Sequence, residues 1–345
     1  MQDEYITSEQ GRQALTPIDL HDGAPAGYWA KDEQGRVYHV WTEDELPLRD
    51  RAPSGRVRPW RKHKLEAEAL SEVYETLGTD PARQQDAAGY LSKAKRLASC
   101  AQSAEFERLQ SGELHLQQAS FCRVRLCPMC QWRRSLKLGA QVRQVVERAN
   151  ADHIADTGTA WRWLMVTFTV RNVPGTELGS TIDRLHKGLV SMTKCKRWQG
   201  AVRGWLRATE VTHCTDKRKA AYDTYHPHIH ALLCVPASYF KGKAYIRQSE
   251  WASLWQHYAG VAYTPVVDVR TIKAEDGRKV SDLAPDEQAA AMGKAVAEVS
   301  KYASKPADYL VASDPDLTVR TVATLDRMLH HRRMTSWGGI LKDIA

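Results

Sequence analysis

The chain has 345 residues, 43% of them hydrophobic and 26% charged, with a formal net charge of +8. That balance excludes wholesale disorder and gives enough apolar material for the cores of roughly two domains of ~100–200 residues. No apolar run approaches the ~20 residues that span a bilayer, and MQDEYITSEQ lacks the basic-then-apolar pattern of a secretory leader, so a soluble, cytoplasmic protein is expected.

In chain order, the first 50 residues are acidic, with 11 acidic side chains against 4 basic ones, so the remainder carries 45 basic against 30 acidic. Within them, GYWAKDEQGRVYHVW reads as a small hairpin turning around Asp32–Gly35. Residues 60–77 carry Leu65, Leu70, Val73, Tyr74 and Leu77 at helical spacing, ended by Gly78 and Pro81. A cysteine-bearing stretch over 86–140 closes into a basic helix after Cys130. WLMVTFTV (163–170) reads as a buried strand, 177–197 as a helix with Ile182, Leu185, Leu189 and Met192 inward, and RGWLRATEVTH (203–213) as a strand. HIHALLCV (228–235) is the next strand, 249–259 a helix stopped by Gly260, and PVVDVRTI (265–272) a fourth strand. A last helix starts at Pro285 and stops before Pro306. The order β-α-β-β-α-β predicts an α+β fold of the split βαβ kind, ferredoxin- or RRM-like: an antiparallel sheet with helices on one face.

Three basic runs interrupt this pattern. Arg56–Lys64 holds five cations and no anion, Arg123–Arg143 six and none, and Arg184–Lys219 ten against Glu210 and Asp216. One such run is what a solvated surface looks like; three together point to a polyanion, whose condensed counterions are released on binding. Arg123, Arg125, Arg133, Arg134 and Lys137 are the candidate DNA contacts.

Two constellations carry chemistry. Cys122, Cys127 and Cys130 fall within nine residues, as CRVRLCPMC, with Cys100 upstream. In a reducing compartment such clustering reads as metal ligation rather than disulfides, and four thiolates would close the shell of a structural Zn²⁺. Cys100 is the favoured fourth ligand over His115. In the second constellation, a strand's period of two puts His228 and His230 on one face, a platform for a divalent ion. Glu210 on the neighbouring strand is the candidate third ligand, with His213 and His226 as rivals. Glu298, Lys301, Tyr302 and Lys305 then recur at i, i+3, i+4 and i+7 of a helix, a face too polar for a routine core. A phenol nucleophile, a cation and a carboxylate are what phosphodiester transesterification requires.

FCRVRLCPMCQWRRSLK, LMVTFTVRNV, HPHIHALL, KYASK preceded by Glu298, and GGILK near Gly338 together resemble the replication initiators of small rolling-circle plasmids, which belong to the HUH endonucleases. The resemblance runs from about Pro59 to Lys342 in the family's motif order and leaves residues 1–50 unmatched. It implies that His228 and His230, flanking Ile229, bind Mg²⁺ or Mn²⁺. Tyr302 would then cut one strand of the double-strand origin, leaving a 5′-phosphotyrosine and a priming 3′-OH. Lys305 would orient the metal site or the phosphate, and Glu298 would activate water for the terminating cleavage. It implies plasmid origin DNA as partner, with a host helicase, single-strand-binding protein and polymerase, since the chain has no GxxxxGK[ST] loop. Four regions follow: an acidic extension (1–58), a helical zinc-binding and DNA-contacting region (59–150), the endonuclease domain (151–312) and a tail packing on it (313–345). A non-catalytic zinc-bearing DNA-binding regulator and another HUH enzyme, a relaxase or transposase, are the alternatives.

Overall fold

The computed structural model describes residues 12–15, 27–31, 37–41, 50–52, 55–110, 114–273, 278, 285–300 and 303–345, with the backbone alone for 12–41, 108 and 285–290. The chain divides into two compact units, Met1–Trp132 and Arg133–Ala345.

In the first unit, β2 (Gly27–Lys31) and β3 (Val37–Trp41) pair antiparallel with Gly27 opposite Trp41, so these strands flank the expected turn, which itself lies outside the described residues. Helix α1 (Trp60–Thr79) buries Ala67, Leu70, Tyr74 and Leu77, while Leu65 is exposed; α2 (Ala87–Ala98) answers with Tyr90, Ala94 and Leu97. Ser71 Oγ donates to the Ala94 carbonyl at 2.8 Å where the two helices meet. Strands β1 (Arg12–Leu15), β4 (Ala104–Arg108) and β5 (Leu114–Ala119) form an antiparallel sheet in the order β1-β4-β5. Helix α3 (Pro128–Thr157) begins in this unit and continues into the second.

The second unit is built on β6 (Arg162–Thr169), β7 (Gly204–His213), β8 (Tyr225–Val235), β9 (Val267–Thr271) and β10 (Thr335–Gly339), all antiparallel in the order β10-β7-β8-β6-β9. Its helices are α4 (Gly175–Met192), α5 (Lys196–Ala201), α6 (Gln248–Ala259), α7 (Pro285–Val299), α8 (Pro315–Leu329) and α9 (Ile340–Ile344). The expected 177–197 helix is therefore two helices, broken before Cys195, which caps α5.

The molecule is α+β as expected, but helices cover both faces of the sheet rather than one. On one face Val166, Phe168, Ile229, Ala231 and Leu233 pack with Leu185 and Leu189 of α4 and with Trp251 and Trp255 of α6. On the other, Trp163, Met165, Leu206, Leu232 and Cys234 pack with Val142 and Val146 of α3 and with Val296 and Val299 of α7. The cause is visible in β8: after Ile229 and His230 the strand reads ALLCV, apolar at consecutive positions and buried throughout, so its two faces both need cover. The 313–345 segment also contributes to the sheet itself, because β10 pairs with β7 from Thr335↔Ala208 to Gly339↔Gly204. A Cβ on Gly338 would sit 2.2 Å from the Trp205 ring, so only glycine lets this edge strand pass.

Candidate functional site

The register of β7 and β8 builds the site. Glu210 stands opposite His228 and Ala208 opposite His230, so the carboxylate and both imidazoles project from the α3/α7 face of the sheet. Glu210 Oε2 lies 3.1 Å from His230 Nε2 and 3.4 Å from His228 Nε2, and all three side chains are buried. The remaining ring nitrogens are tied off. His228 Nδ1 donates to the His226 carbonyl at 3.1 Å, and His230 Nδ1 meets Thr167 Oγ1 of β6 at 3.2 Å. Those contacts leave both Nε2 atoms turned to the centre, the orientation that outer partners impose on metal-binding histidines. Three ligand atoms within 4.8 Å of one another suit a divalent ion with open coordination positions.

Two further charges border the group. Lys305 Nζ sits 3.0 Å from Glu210 Oε1, an ionic contact without hydrogen-bond geometry, and Glu298 Oε2 is 3.8 Å from His230 Nε2. Burial alone would push the Glu210 carboxyl up, but His228, His230 and Lys305 outweigh it and hold it well below the usual carboxylate range. Burial pulls the Lys305 ammonium down, and Glu210, Asp308 and Glu298 more than reverse that. Both groups are therefore charged at neutral pH.

Of the rival third ligands, His213 is odd-numbered on β7 and faces away from Glu210. Its Nε2 meets Asp223 at 3.0 Å, its Nδ1 the Asp308 carbonyl at 3.1 Å, and its ring stacks on Tyr225. His226 shares the site's face one step further along, its ring 5.1 Å from that of His228, and is not part of the group of three. Tyr302 and Lys301 lie outside the described residues. The adjoining Ala303 accepts a hydrogen bond from Val211 N at 2.8 Å, one position past Glu210. The sequence reading missed that clasp and the Thr167 contact.

In the first unit, Cys100, Cys122, Cys127 and Cys130 converge, and His115 does not: it pairs with Gln117 on the exposed side of β5. The sulfurs stand 3.7 Å (Cys100–Cys130), 3.6 Å (Cys122–Cys130) and 3.5 Å (Cys100–Cys127) apart. A tetrahedral ion with bonds of ~2.3 Å requires edges of about 3.8 Å, so the spacing fits. Backbone N–H groups point at the sulfurs, including Arg123 N to Cys130 Sγ at 3.3 Å and Cys130 N to Cys127 Sγ at 3.5 Å. Arg123 takes a left-handed conformation (φ 58°) to make its contact. Its neighbouring sulfurs, Cys100 first, and burial push the Cys127 thiol far up, a penalty that a bound cation removes.

The family model described as "Replication protein" (Rep_1) matches residues 113–345. A "Protein rep" of Bacillus amyloliquefaciens is 40% identical over 300 residues, covering 86% of this chain and 84% of the relative. A "Protein rep" of Streptococcus pneumoniae serotype 2 is 33% identical over 306 residues, 88% of this chain and 84% of the relative. The chain belongs to the Rep_1 replication protein family. This membership bears out the resemblance to plasmid replication initiators drawn from the motifs. No solved structure matches.

Arg134 and Lys137 are exposed on α3, with Arg133 half-buried beside them. In the first unit, Arg123 is exposed and Arg125 half-buried in the loop that carries the cysteines. Among the described residues no helix is long and apolar enough to cross a membrane.

Proposed function

We propose that this chain is a plasmid rolling-circle initiator of the HUH kind, which binds the double-strand origin and nicks one strand by transesterification on Tyr302. The observation that carries this reading is the meeting of Glu210 Oε2 with the Nε2 atoms of His228 and His230 at 3.1–3.4 Å, bordered by Lys305 and Glu298. A Mg²⁺ or Mn²⁺ ion held by these three residues would polarise the scissile phosphate. The Tyr302 phenol oxygen bonds to phosphorus as the P–O3′ bond breaks, giving a 5′-phosphotyrosine and a free 3′-OH that takes up the proton and primes synthesis. A phenol of pKa ~10 is only about 0.1% ionised at pH 7, so it needs a base and a cation beside it. Glu298, four residues before Tyr302, lies 3.8 Å from His230 Nε2, and Ala303, directly after Tyr302, is bonded to Val211 N next to Glu210, which supports the assignment. Lys305, kept protonated by Glu210, faces the charge that builds on the phosphate.

At termination Glu298 takes a proton from the water that cleaves the regenerated origin. The 3′-OH so released displaces Tyr302 and closes the circle. Cys100, Cys122, Cys127 and Cys130 hold a structural Zn²⁺, and the exposed arginines and lysines of 123–137 meet DNA backbone. Helicase, single-strand-binding protein and polymerase come from the host.

Purified protein with Mn²⁺ and a labelled origin oligonucleotide is expected to give a denaturant-resistant adduct, located by mass spectrometry on Tyr302 and abolished in Tyr302→Phe. Glu298→Ala is expected to form the adduct but to accumulate multimeric single strands. Undiminished plasmid replication in Tyr302→Phe would instead fit a non-catalytic regulator.

A further inference from the structure

Past Ala208, where β10 ends its pairing, the edge of β7 is taken up by backbone from far downstream. Thr209 N donates to the Met334 carbonyl and Val211 N to the Ala303 carbonyl, both at 2.8 Å. The second bond holds the residue next to Tyr302. The same stretch then turns through the short 3-10 helix Pro306–Asp308, with Asp308 Oδ2 accepting from Lys305 N at 3.2 Å. The Asp308 carbonyl returns to β7, 3.1 Å from His213 Nδ1. Residues 303–308 are therefore tied to β7 at both ends, and from between the ties Lys305 reaches Glu210 at 3.0 Å.

His213 is built into that tie. Its side chain is wholly buried, its ring stacks on Tyr225, and both nitrogens face acceptors: Nδ1 the Asp308 carbonyl, Nε2 the Asp223 Oδ1 at 3.0 Å. Asp223 is the independent clue. It takes a left-handed conformation (φ 56°), uncommon for a residue that carries a side chain, at the base of the 214–224 hairpin. There its N–H donates to the Cys214 carbonyl at 2.9 Å and closes the hairpin. Glycine would meet that backbone requirement without strain. The carboxylate is a separate feature: one oxygen is aimed at the buried ring and the other lies 3.4 Å from Arg320 of α8. Conformations of this kind persist where the surrounding structure over-determines them, and they gather at working sites.

We propose that His213, oriented by Asp223, is a positioning residue for nicking: it pins the segment that follows the nucleophile to β7, and so fixes Lys305, and Tyr302 through Ala303, relative to the metal-binding group. The inference rests on the reading above, in which Tyr302 attacks a phosphate held at Glu210, His228 and His230. In-line attack tolerates little displacement, since an error of about 1 Å can cost on the order of a hundredfold in rate. A brace of this kind acts on the rate of the step and not on how tightly DNA or the ion is bound.

The test uses the full chain. Asp223→Gly removes the carboxylate and keeps a backbone that accepts the left-handed conformation, so the hairpin can still close. Asp223→Asn keeps a side-chain oxygen that can accept from the ring. Single-turnover adduct formation is followed at varied concentrations of origin oligonucleotide and of Mn²⁺. Asp223→Gly is expected to slow the saturated rate about tenfold with both half-saturation concentrations unchanged, and Asp223→Asn to recover to within about threefold of the parent. His213→Ala, which also opens a cavity, should lose at least as much rate; the Asp223 variants decide the matter if it does not fold. A second readout is independent of nicking. The amides of Val211 and Leu310, bonded to the Ala303 and Pro306 carbonyls, should exchange their hydrogens faster in Asp223→Gly than in the parent. A parental rate in Asp223→Gly, a loss carried by either half-saturation concentration, no recovery in Asp223→Asn, or unchanged exchange would each overturn the inference. Faster exchange in a protein that never forms the tyrosine adduct would sink the nuclease reading and leave the brace standing; an adduct-forming protein whose rate ignores Asp223 would do the reverse.

Discussion

The four-sulfur cluster of the first unit and the carboxylate–imidazole group of the second gather ligand atoms within similar spans, yet they differ in what holds them. The thiols sit on loops and on the first turn of α3, and they are fixed by one another and by backbone N–H groups, with no position left for a substrate. Glu210, His228 and His230 ride on adjacent central strands whose partners are set by a ten-residue register, and their margin is open, with Lys305 46% and Glu298 39% exposed. A cluster that closes on itself organises the surrounding chain, whereas one borrowed from a rigid sheet leaves the ion free to work on something else.

The largest expected effect follows directly. With the proposed Zn²⁺ in the four-sulfur cluster, its removal, or the change Cys130→Ser, should unfold the first unit, because a structural zinc supplies on the order of 10 kcal/mol, comparable to a whole domain's stability. Limited proteolysis should then cut within 60–130 while the β6–β10 sheet stays protected; a metal-free protein that melts like the parent would erase the distinction. His230→Ala should do the opposite, lowering nicking by about a hundredfold or more while leaving the melting temperature nearly unchanged. A large loss of stability in that variant would mean that the histidines are structural after all.

Thr167→Val sharpens the comparison further. Without Oγ1 against His230 Nδ1, affinity for the divalent ion should fall by about tenfold, and excess Mn²⁺ should restore nicking. An effect that excess ion does not reverse would put Thr167 elsewhere in the mechanism.

A last effect, on stability rather than on nicking, concerns a histidine of the same unit outside both clusters. His186 Nε2 accepts from Arg207 Nη1 at 3.0 Å, and burial, then Arg207, pushes its pKa down to about 4. The unfolded chain, with an ordinary value near 6.5, takes up the proton first as pH falls. Stability is therefore full above about 6.5 and declines toward 4, by roughly 3 kcal/mol if the ring stays neutral in the fold. His186→Gln should flatten the melting temperature over that window, and an unchanged slope would remove His186 as its source.

Much of this was legible in the sequence because it depended on local periodicity. The period of two in HPHIHALL put both histidines on one face, and a hairpin back to RATEVTH put Glu210 opposite them. Other features are non-local. The contact of Thr167 with His230 depends on β6 lying beside β8, and the bond from Val211 to Ala303 joins segments far apart in the chain. The second helical layer was signalled by ALLCV, an unbroken apolar run, but a strand's alternation is easily read from its histidine end alone. Helix α8 had its own sign in Asp314-Pro315, where Asp314 Oδ1 accepts from Leu317 N at 3.0 Å, yet the segment reads as a tail unless that cap is noticed.

Strand β10 is synthesised long after β7, the strand that it borders and that carries Glu210. Until the ribosome has released Thr335–Gly339, the nascent sheet ends in a bare edge of unpaired amides and carbonyls, open to capture by another growing chain. Completion of that border waits on a segment far downstream of β7, and a message stopped before it yields a protein without it.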